Sequence, residues 1–343
     1  MKSNPNVVPG VLSVVIRSAS VDRLMLLEET LFSLAVQQWA RLDVVVVLQE
    51  PSPSFLAAVQ TACRRLPWGD GMATRVIPVP CAAGFDGRAQ LLVRGVEESN
   101  GQYLAFLDDD DVVYHDAYVR LIGRLMTRRD AVIAVGGTRV AILEDADDYY
   151  VVRQKSSGLF PKGTHRFELF DYNITPIHSY VVDRTRVPEH VFTFSDEHVP
   201  LEDYEFLLRL AEIGPFDFAE ASADVAEYRF HKNGTVSPQA DGTAVISEQL
   251  ALARGRIDRS ADLAQMTITK REWNELKARF DVTRPYTSGA LAAERSRGTA
   301  SLKAPHPGGP FLVRGAVRLN ARIHSRPALV RPLHSLYRRF RRL

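Results

Sequence analysis

The sequence predicts an α/β protein, with a mostly parallel central sheet flanked by helices and a helical C-terminal extension. Three observations predict it. Short apolar runs at Val11–Ile16, Val44–Leu48 and Tyr103–Leu107 lack polar alternation, as strands covered on both faces do. Segments with helical spacing of leucines separate these runs. The third run ends abruptly in Asp108, Asp109, Asp110 and Asp111, at the edge where open α/β sheets take their ligands.

The elements follow in order. Pro9 and Gly10 interrupt the apolar stretch after Lys2 and Arg17 closes it, so Val11–Ile16 reads as a first buried strand and not a signal peptide. Leu24, Leu27, Leu31 and Leu34 then predict a helix from about Val21 to Gln38, with Asp22 at its cap. With Val44–Leu48 this makes a βαβ unit, whose right-handed crossover starts a parallel sheet. Ser54–Leu66 reads as a helix, Arg75–Val79 as a strand, and Gly84–Gly101 holds a helix presenting Arg88, Leu91, Leu92 and Val96. Beyond the acidic run, Asp116–Met126 predicts a helix and Ala131–Val135 a strand, and the pattern loosens through Glu144–Tyr150. Ser179–Val182 is expected as a strand, and Tyr204–Ile213 as a helix stopped by Gly214 and Pro215. Ile246 to Phe280 reads as mostly helical, with Thr269 and Glu272 spaced as a capping box.

With 343 residues, 45% of them hydrophobic, the chain is long enough for a large cored domain with an appendage. No run approaches the roughly 18 apolar residues of a membrane span. Cys63 and Cys81 are too few for a disulfide framework and lack zinc-site spacing, so they read as ordinary residues of a reducing compartment. Charge is unevenly placed. Ser296–Leu343 holds eleven of the 43 Lys and Arg residues and none of the 41 Asp and Glu residues, leaving 32 basic against 41 acidic side chains before it. Leu312, Ala316, Leu319 and Ile323 share a helical face with an Arg314, Arg318, Arg322, Arg326 row opposite, and a second basic amphipathic pattern follows Pro332. Such a tail suits an anionic membrane surface; self-packing and nonspecific nucleic-acid attraction are the plainer alternatives.

Four adjacent carboxylates at the end of a buried strand repel one another unless a cation or a set of donors offsets them, which points to a divalent metal site. A solvated acidic turn is the other reading. Glu202 and Asp203, ahead of Tyr204–Ile213, are either reactive acids or helix-start acids favoured by the dipole.

Four stretches then occur together: Ser13-Val14-Val15-Ile16-Arg17, Gly87-Arg88-Ala89 through Gly95, Phe106-Leu107-Asp108-Asp109-Asp110-Asp111, and Leu201-Glu202-Asp203-Tyr204-Glu205-Phe206 with Leu208-Arg209-Leu210. In order and spacing they resemble the opening strand, the following helix, the Asp-x-Asp motif and the catalytic acidic motif of the family 2 glycosyltransferases, over roughly Val11 to Thr235. The resemblance implies a GT-A fold and a metal-dependent, inverting transfer of sugar from a UDP-, GDP- or dTDP-sugar to a glycan or lipid-linked acceptor. It implies Asp110 as metal ligand, Asp108 as contact to nucleoside and metal, Asp109 and Asp111 in support, and Asp203 with Glu202 as the catalytic acids. Mg²⁺ or Mn²⁺, taking oxygen ligands, suits a leaving diphosphate.

Arg17 and Arg88 are expected on the nucleotide, surface ion pairs being their alternative. His231 resembles a late element that reaches the metal or diphosphate. Asn173 and His178, with Asp111, resemble residues lining the donor-sugar and acceptor site. The sequence departs from the family where the second strand runs into Gln49, Glu50 and Pro51 in place of an Asp-rich turn, leaving Glu50 to contact the base, and where Val93 stands for the common Asn. The implied organisation is a GT-A domain over 1–240, a helical extension over 241–294, a linker over 295–310 and a basic tail over 311–343, on the inner face of the cell membrane. A non-catalytic sugar-nucleotide or glycan-binding scaffold of the same fold is the runner-up. No nucleic-acid partner is expected.

Overall fold

The computed structural model describes residues 7–82, 84–146, 149–157, 165–170, 173–231, 252–258, 266–272, 274 and 328–330. The chain divides into two compact units, Met1–Arg259 and Ser260–Leu343. In the first, β1 (Val8–Ser18) is flanked by two parallel neighbours, β2 (Leu42–Gln49) and β4 (Gly101–Asp108), with β3 (Ala73–Val79) parallel beyond β2. The connecting helices are α1 (Leu24–Ala35), α2 (Pro53–Arg65) and α3 (Arg88–Glu98). The apolar runs are buried on both faces, as their lack of alternation requires.

Val14, Ile16, Val44, Val46, Leu48, Ala105 and Leu107 form one core with Leu27, Leu31 and Leu34 of α1 and Phe55 and Val59 of α2. On the other face α3 lies so close to β1 that a Cβ on Gly95 would stand 2.2 Å from Cγ1 of Val15. The Gly at that position of the family-like helix is therefore a packing requirement. Ser52 caps α2 by accepting the Phe55 N–H at 3.2 Å, with Pro53 opening the helix.

Beyond β4 come β5 (Val112–Val113), α4 (Ala117–Thr127), β6 (Ile133–Ala146), β7 (Tyr149–Ser157), β8 (Tyr180–Asp183), α5 (Glu202–Ile213) and β9 (Phe216–His231). Among the described residues nine strands form one sheet in the order β3-β2-β1-β4-β8-β6-β9-β5, with β7 paired to β6. This second half is mixed: β8 runs antiparallel to both β4 and β6, while β9 is parallel to β6.

Several local expectations are corrected. Ser20, not Asp22, supplies the first cap, accepting the Asp22 N–H ahead of a single 3₁₀ turn over Val21–Arg23. The helix ends at Ala35, short of Gln38, and the Gln37 side chain donates to the carbonyls of Ser33 and Tyr114. The pattern does not loosen at the described residues of the stretch Glu144–Tyr150: Glu144–Ala146 and Tyr149–Tyr150 lie in β6 and β7, which pair antiparallel from Arg139 to Ala146 with one register shift, between Ile142 and Leu143. A shift of one residue breaks the period-2 pattern in the sequence. Gly214 closes α5 with extended backbone, not a left-handed cap; a Cβ there would stand 2.7 Å from Cγ1 of Val132.

In the region expected to be helical, residues 252–258 are helical, but Met266–Ile268 is a strand, β10, paired antiparallel with β11 (Ala328–Val330). The capping box is present: Glu272 N–H donates to Thr269 Oγ1 at 3.2 Å and Thr269 N–H to Glu272 Oε2 at 3.0 Å. The 295–310 linker and, apart from Ala328–Val330, the tail lie outside the described residues. No helix among the described residues is long and apolar enough to cross a membrane.

Candidate active site

β4 delivers its chain end to the edge of the sheet, where the Asp111 N–H donates to the Asp108 carbonyl at 3.2 Å and closes a turn. Thr30 of α1 pins the turn, its hydroxyl donating to the Asp111 carbonyl at 2.8 Å. The four carboxylates meet four different surroundings. Asp108 takes Nε of Arg17 at 2.6 Å and Nη2 at 3.3 Å. The buried Asp109 takes Nε and Nη2 of Arg23 at 2.8 and 2.5 Å, and Asp110 lies 2.7 Å from the same Nη2. The buried Asp111 accepts the Arg229 N–H at 2.8 Å on Oδ1 and has Nδ1 of the buried His178 2.8 Å from Oδ2.

Their electrostatics differ accordingly. Burial works to raise Asp108, but Arg17 outweighs it and holds the carboxyl below the usual range. Asp110 is pushed up to about 7, first by burial and then by Asp111, with Arg23 pulling the other way. Asp111 is also raised by burial, against the pull of His178. His178 itself is raised: burial disfavours its charge, and Asp111 with Asp108 and Asp110 more than offsets that.

The acidic start of α5 reaches the same edge. Glu202 is 1% exposed, and its Oε1 accepts Nη1 of Arg17 at 2.5 Å. One guanidinium thus joins the ends of β1 and β4 to the first residue of α5. Asp203 accepts the Tyr204 N–H at 2.7 Å. Burial, then Glu202, pushes its carboxyl up to about 7, against Arg17. Tyr204 anchors the helix by donating its hydroxyl to the Leu169 carbonyl. Tyr180 of β8, buried, is raised by burial and then by Asp203, which puts its phenol in the same cluster.

The other expected residues lie around this edge or apart from it. Arg88, at the start of α3, pairs with Asp86 at 2.5 Å. Glu50 sits at φ 37°, a left-handed conformation that strains a non-glycine residue, and its Oε2 accepts the Cys81 N–H at 2.9 Å. Gln49 beside it donates to the Phe85 carbonyl at 2.8 Å. Asn173 accepts the Thr175 N–H at 3.0 Å in a local turn leading to His178. His231 ends β9 opposite Leu143, and its side chain lies outside the described residues.

Three contributors escape sequence reading: Arg23, Arg229 and Tyr180. Arg229 lies in the stretch that carries His231, but it serves the turn through its backbone amide, which any residue possesses. Nothing in spacing marks Arg23 as the partner of residues 86 positions away.

Among the described residues no three His, Cys, Asp or Glu side chains converge as a ready metal cage. A hard cation that arrives with a diphosphate needs only one or two protein carboxylates. Asp110 and Asp108, 22% and 25% exposed, fit that role. Asp109 and Asp111 are turned inward to Arg23, His178 and Arg229.

Residues 9–171 match the family described as glycosyltransferase like family 2. They form a family 2-type glycosyltransferase domain. The chain is accordingly a glycosyltransferase, and three of the four motifs that carry the resemblance lie within the matched stretch. The matched stretch includes the acidic turn but stops before α5. No curated protein matches the sequence.

Among solved structures, Staphylococcus aureus TarS 1–349 in complex with UDP-GlcNAc is similar at a TM-score of 0.52 and 13% identity, covering 74% of this chain and 67% of that one. The same protein in complex with UDP gives 0.49 at 14% identity, covering 85% and 76%. The mannosyltransferase PcManGT from Pyrobaculum calidifontis, in complex with GDP-Man and Mn²⁺, gives 0.47 at 11%, covering 83% and 84%. The first of these likenesses concerns fold, and the glycosyltransferase domain has the GT-A fold.

Proposed function

We propose that this glycosyltransferase moves a sugar from a nucleoside-diphosphate sugar to a glycan or lipid-linked acceptor of a surface polysaccharide or glycolipid, with inversion. The observation that supports it most is the meeting of the acidic turn and the α5 carboxylates at one sheet edge, joined by Arg17. Asp203 is the base. A carboxyl pushed up to about 7 accepts a proton near neutral pH better than an ordinary aspartate does. The acceptor hydroxyl passes its proton to Asp203 as its oxygen bonds to the anomeric carbon, and the bond from that carbon to the diphosphate oxygen breaks on the opposite face. Asp110 and Asp108 would hold a divalent cation, Mg²⁺ or Mn²⁺, which when bound supplies charge stabilisation to the departing diphosphate. Arg88 and Glu50 face the nucleotide, Glu50 toward the base.

Calorimetric titration of UDP, GDP and dTDP, with and without Mn²⁺, into wild type and Asp110→Ala tests this. The TarS structure makes UDP the first to try. Binding of one nucleotide that needs Mn²⁺ and is lost in the variant is expected. Binding indifferent to metal and to Asp110 would overturn the metal assignment, and no binding by any nucleotide would overturn the donor class.

The eleven cations and no anions of Ser296–Leu343 support a peripheral place on the inner, anionic face of a membrane. Deleting 311–343 is expected to abolish binding to anionic liposomes. Unchanged binding would remove the membrane from this reading.

A further inference from the structure

Glu202 and Asp203 are neighbours in sequence, and sequence analysis pairs them as catalytic acids. The structure separates their tasks. Glu202 is 1% exposed and its Oε1 is taken up by Nη1 of Arg17 at 2.5 Å, so it presents no surface to an acceptor or a sugar. Arg17, with a 12% exposed side chain, turns Nε and Nη2 to Asp108 at 2.6 and 3.3 Å. All three guanidinium nitrogens are committed, two to the donor-side turn and one to the start of α5. These contacts span 91 and 185 residues of sequence, so neither follows from local chain geometry.

We propose that Glu202 is a positioning residue: through Arg17 it locks the first turn of α5, and with it Asp203, at a fixed place relative to Asp108. This rests on the reading of Asp203 as the base. A planar fork is needed, because an ammonium is a point charge that cannot hold two carboxylates in a set relative orientation. Small misplacement of a base is costly: about 1 Å is worth about a hundredfold in rate.

The groups facing Asp203 are Glu202 on its own helix, Arg17 from β1, Asp108 from β4, Tyr180 from β8 and Tyr228 from β9. Replacing Glu202 by Gln removes an anion beside Asp203. The Asp203 proton is then lost at lower pH.

The test measures sugar transfer by wild type, Glu202→Gln and Arg17→Lys, as kcat and donor KM across pH, with nucleotide affinity from calorimetry. For Glu202→Gln the expected result is a kcat lowered about ten- to a hundredfold. Nucleotide affinity and donor KM stay close to wild type, and the rising limb of the pH profile moves to lower pH. Arg17→Lys is expected to lower kcat similarly while its limb stays closer to wild type, since the cation is kept; this variant also decides the matter if Glu202→Gln fails to fold.

A Glu202→Gln enzyme that melts and binds nucleotide as wild type does but transfers no sugar at any pH would make Glu202 a base in its own right and overturn the proposal. So would a fall in melting temperature with kcat and limb both unmoved, the mark of a merely structural pair. If wild type binds nucleotide but transfers no sugar, the reading of Asp203 fails and this inference with it. An active wild type with unaffected variants refutes the inference alone.

Discussion

The turn at Asp108–Asp111 sets four carboxylates against two guanidinium groups, an imidazole and a backbone amide. The start of α5 sets Glu202 and Asp203 against one guanidinium, Arg17, which the turn already engages. In the turn, burial and then Asp111 push Asp110 up to about 7, and burial raises Asp111 as well. At the helix start, burial and then Glu202 raise Asp203, against the pull of the single guanidinium. On the proposed reading, the first cluster receives a cation and the second a proton. Similar residues come to different tasks because positive partners are distributed unequally between them.

The largest effect that sharpens this contrast is expected at Asp203. Asp203→Asn should lower sugar transfer by about 10²–10⁴-fold, the usual worth of a positioned base, while leaving nucleotide affinity within a few-fold of wild type. Steady-state rates beside calorimetry check it. A parallel loss of nucleotide binding would place Asp203 in the donor cluster instead and erase the division of tasks.

A smaller effect concerns stability. Asp110 and Asp203 are raised from the ordinary aspartate range to about 7 in the folded protein. The folded state therefore holds protons that the unfolded chain releases. Their contribution to stability is full below about pH 4 and is lost as pH rises through about 7. Melting temperatures measured in the presence of a chelator should show Asp110→Asn and Asp203→Asn more stable than wild type at pH 8, with the gap closing toward pH 4.5. No gain at pH 8 would mean that Arg17 and Arg23 already neutralise both clusters.

The first half of the sheet was legible from the chain alone. The runs Val11–Ile16, Val44–Leu48 and Tyr103–Leu107 lie within β1, β2 and β4, because strands buried on both faces leave an unbroken apolar signature. The second half was much less so. The β6–β7 pair carries a register shift, and β9 makes its ladder with β6 through several irregularities, so neither keeps a clean period. Gly214 stops α5 as its sequence position predicts, but with extended backbone, and its lack of a side chain serves contact with Val132.

For the candidate site, the sequence by itself determined where the acidic groups sit on the fold: Asp108–Asp111 at the end of a buried strand and Glu202–Asp203 at the head of a helix. Both follow from local patterning, which the chain carries residue by residue. Only the tertiary structure decided which partners each carboxylate meets. Arg17, Arg23, His178 and Arg229 reach the turn and the helix from positions 67 to 185 residues away. The affinity of each carboxylate for a proton or a cation is set by burial and by those neighbours, and these exist only once the chain has folded.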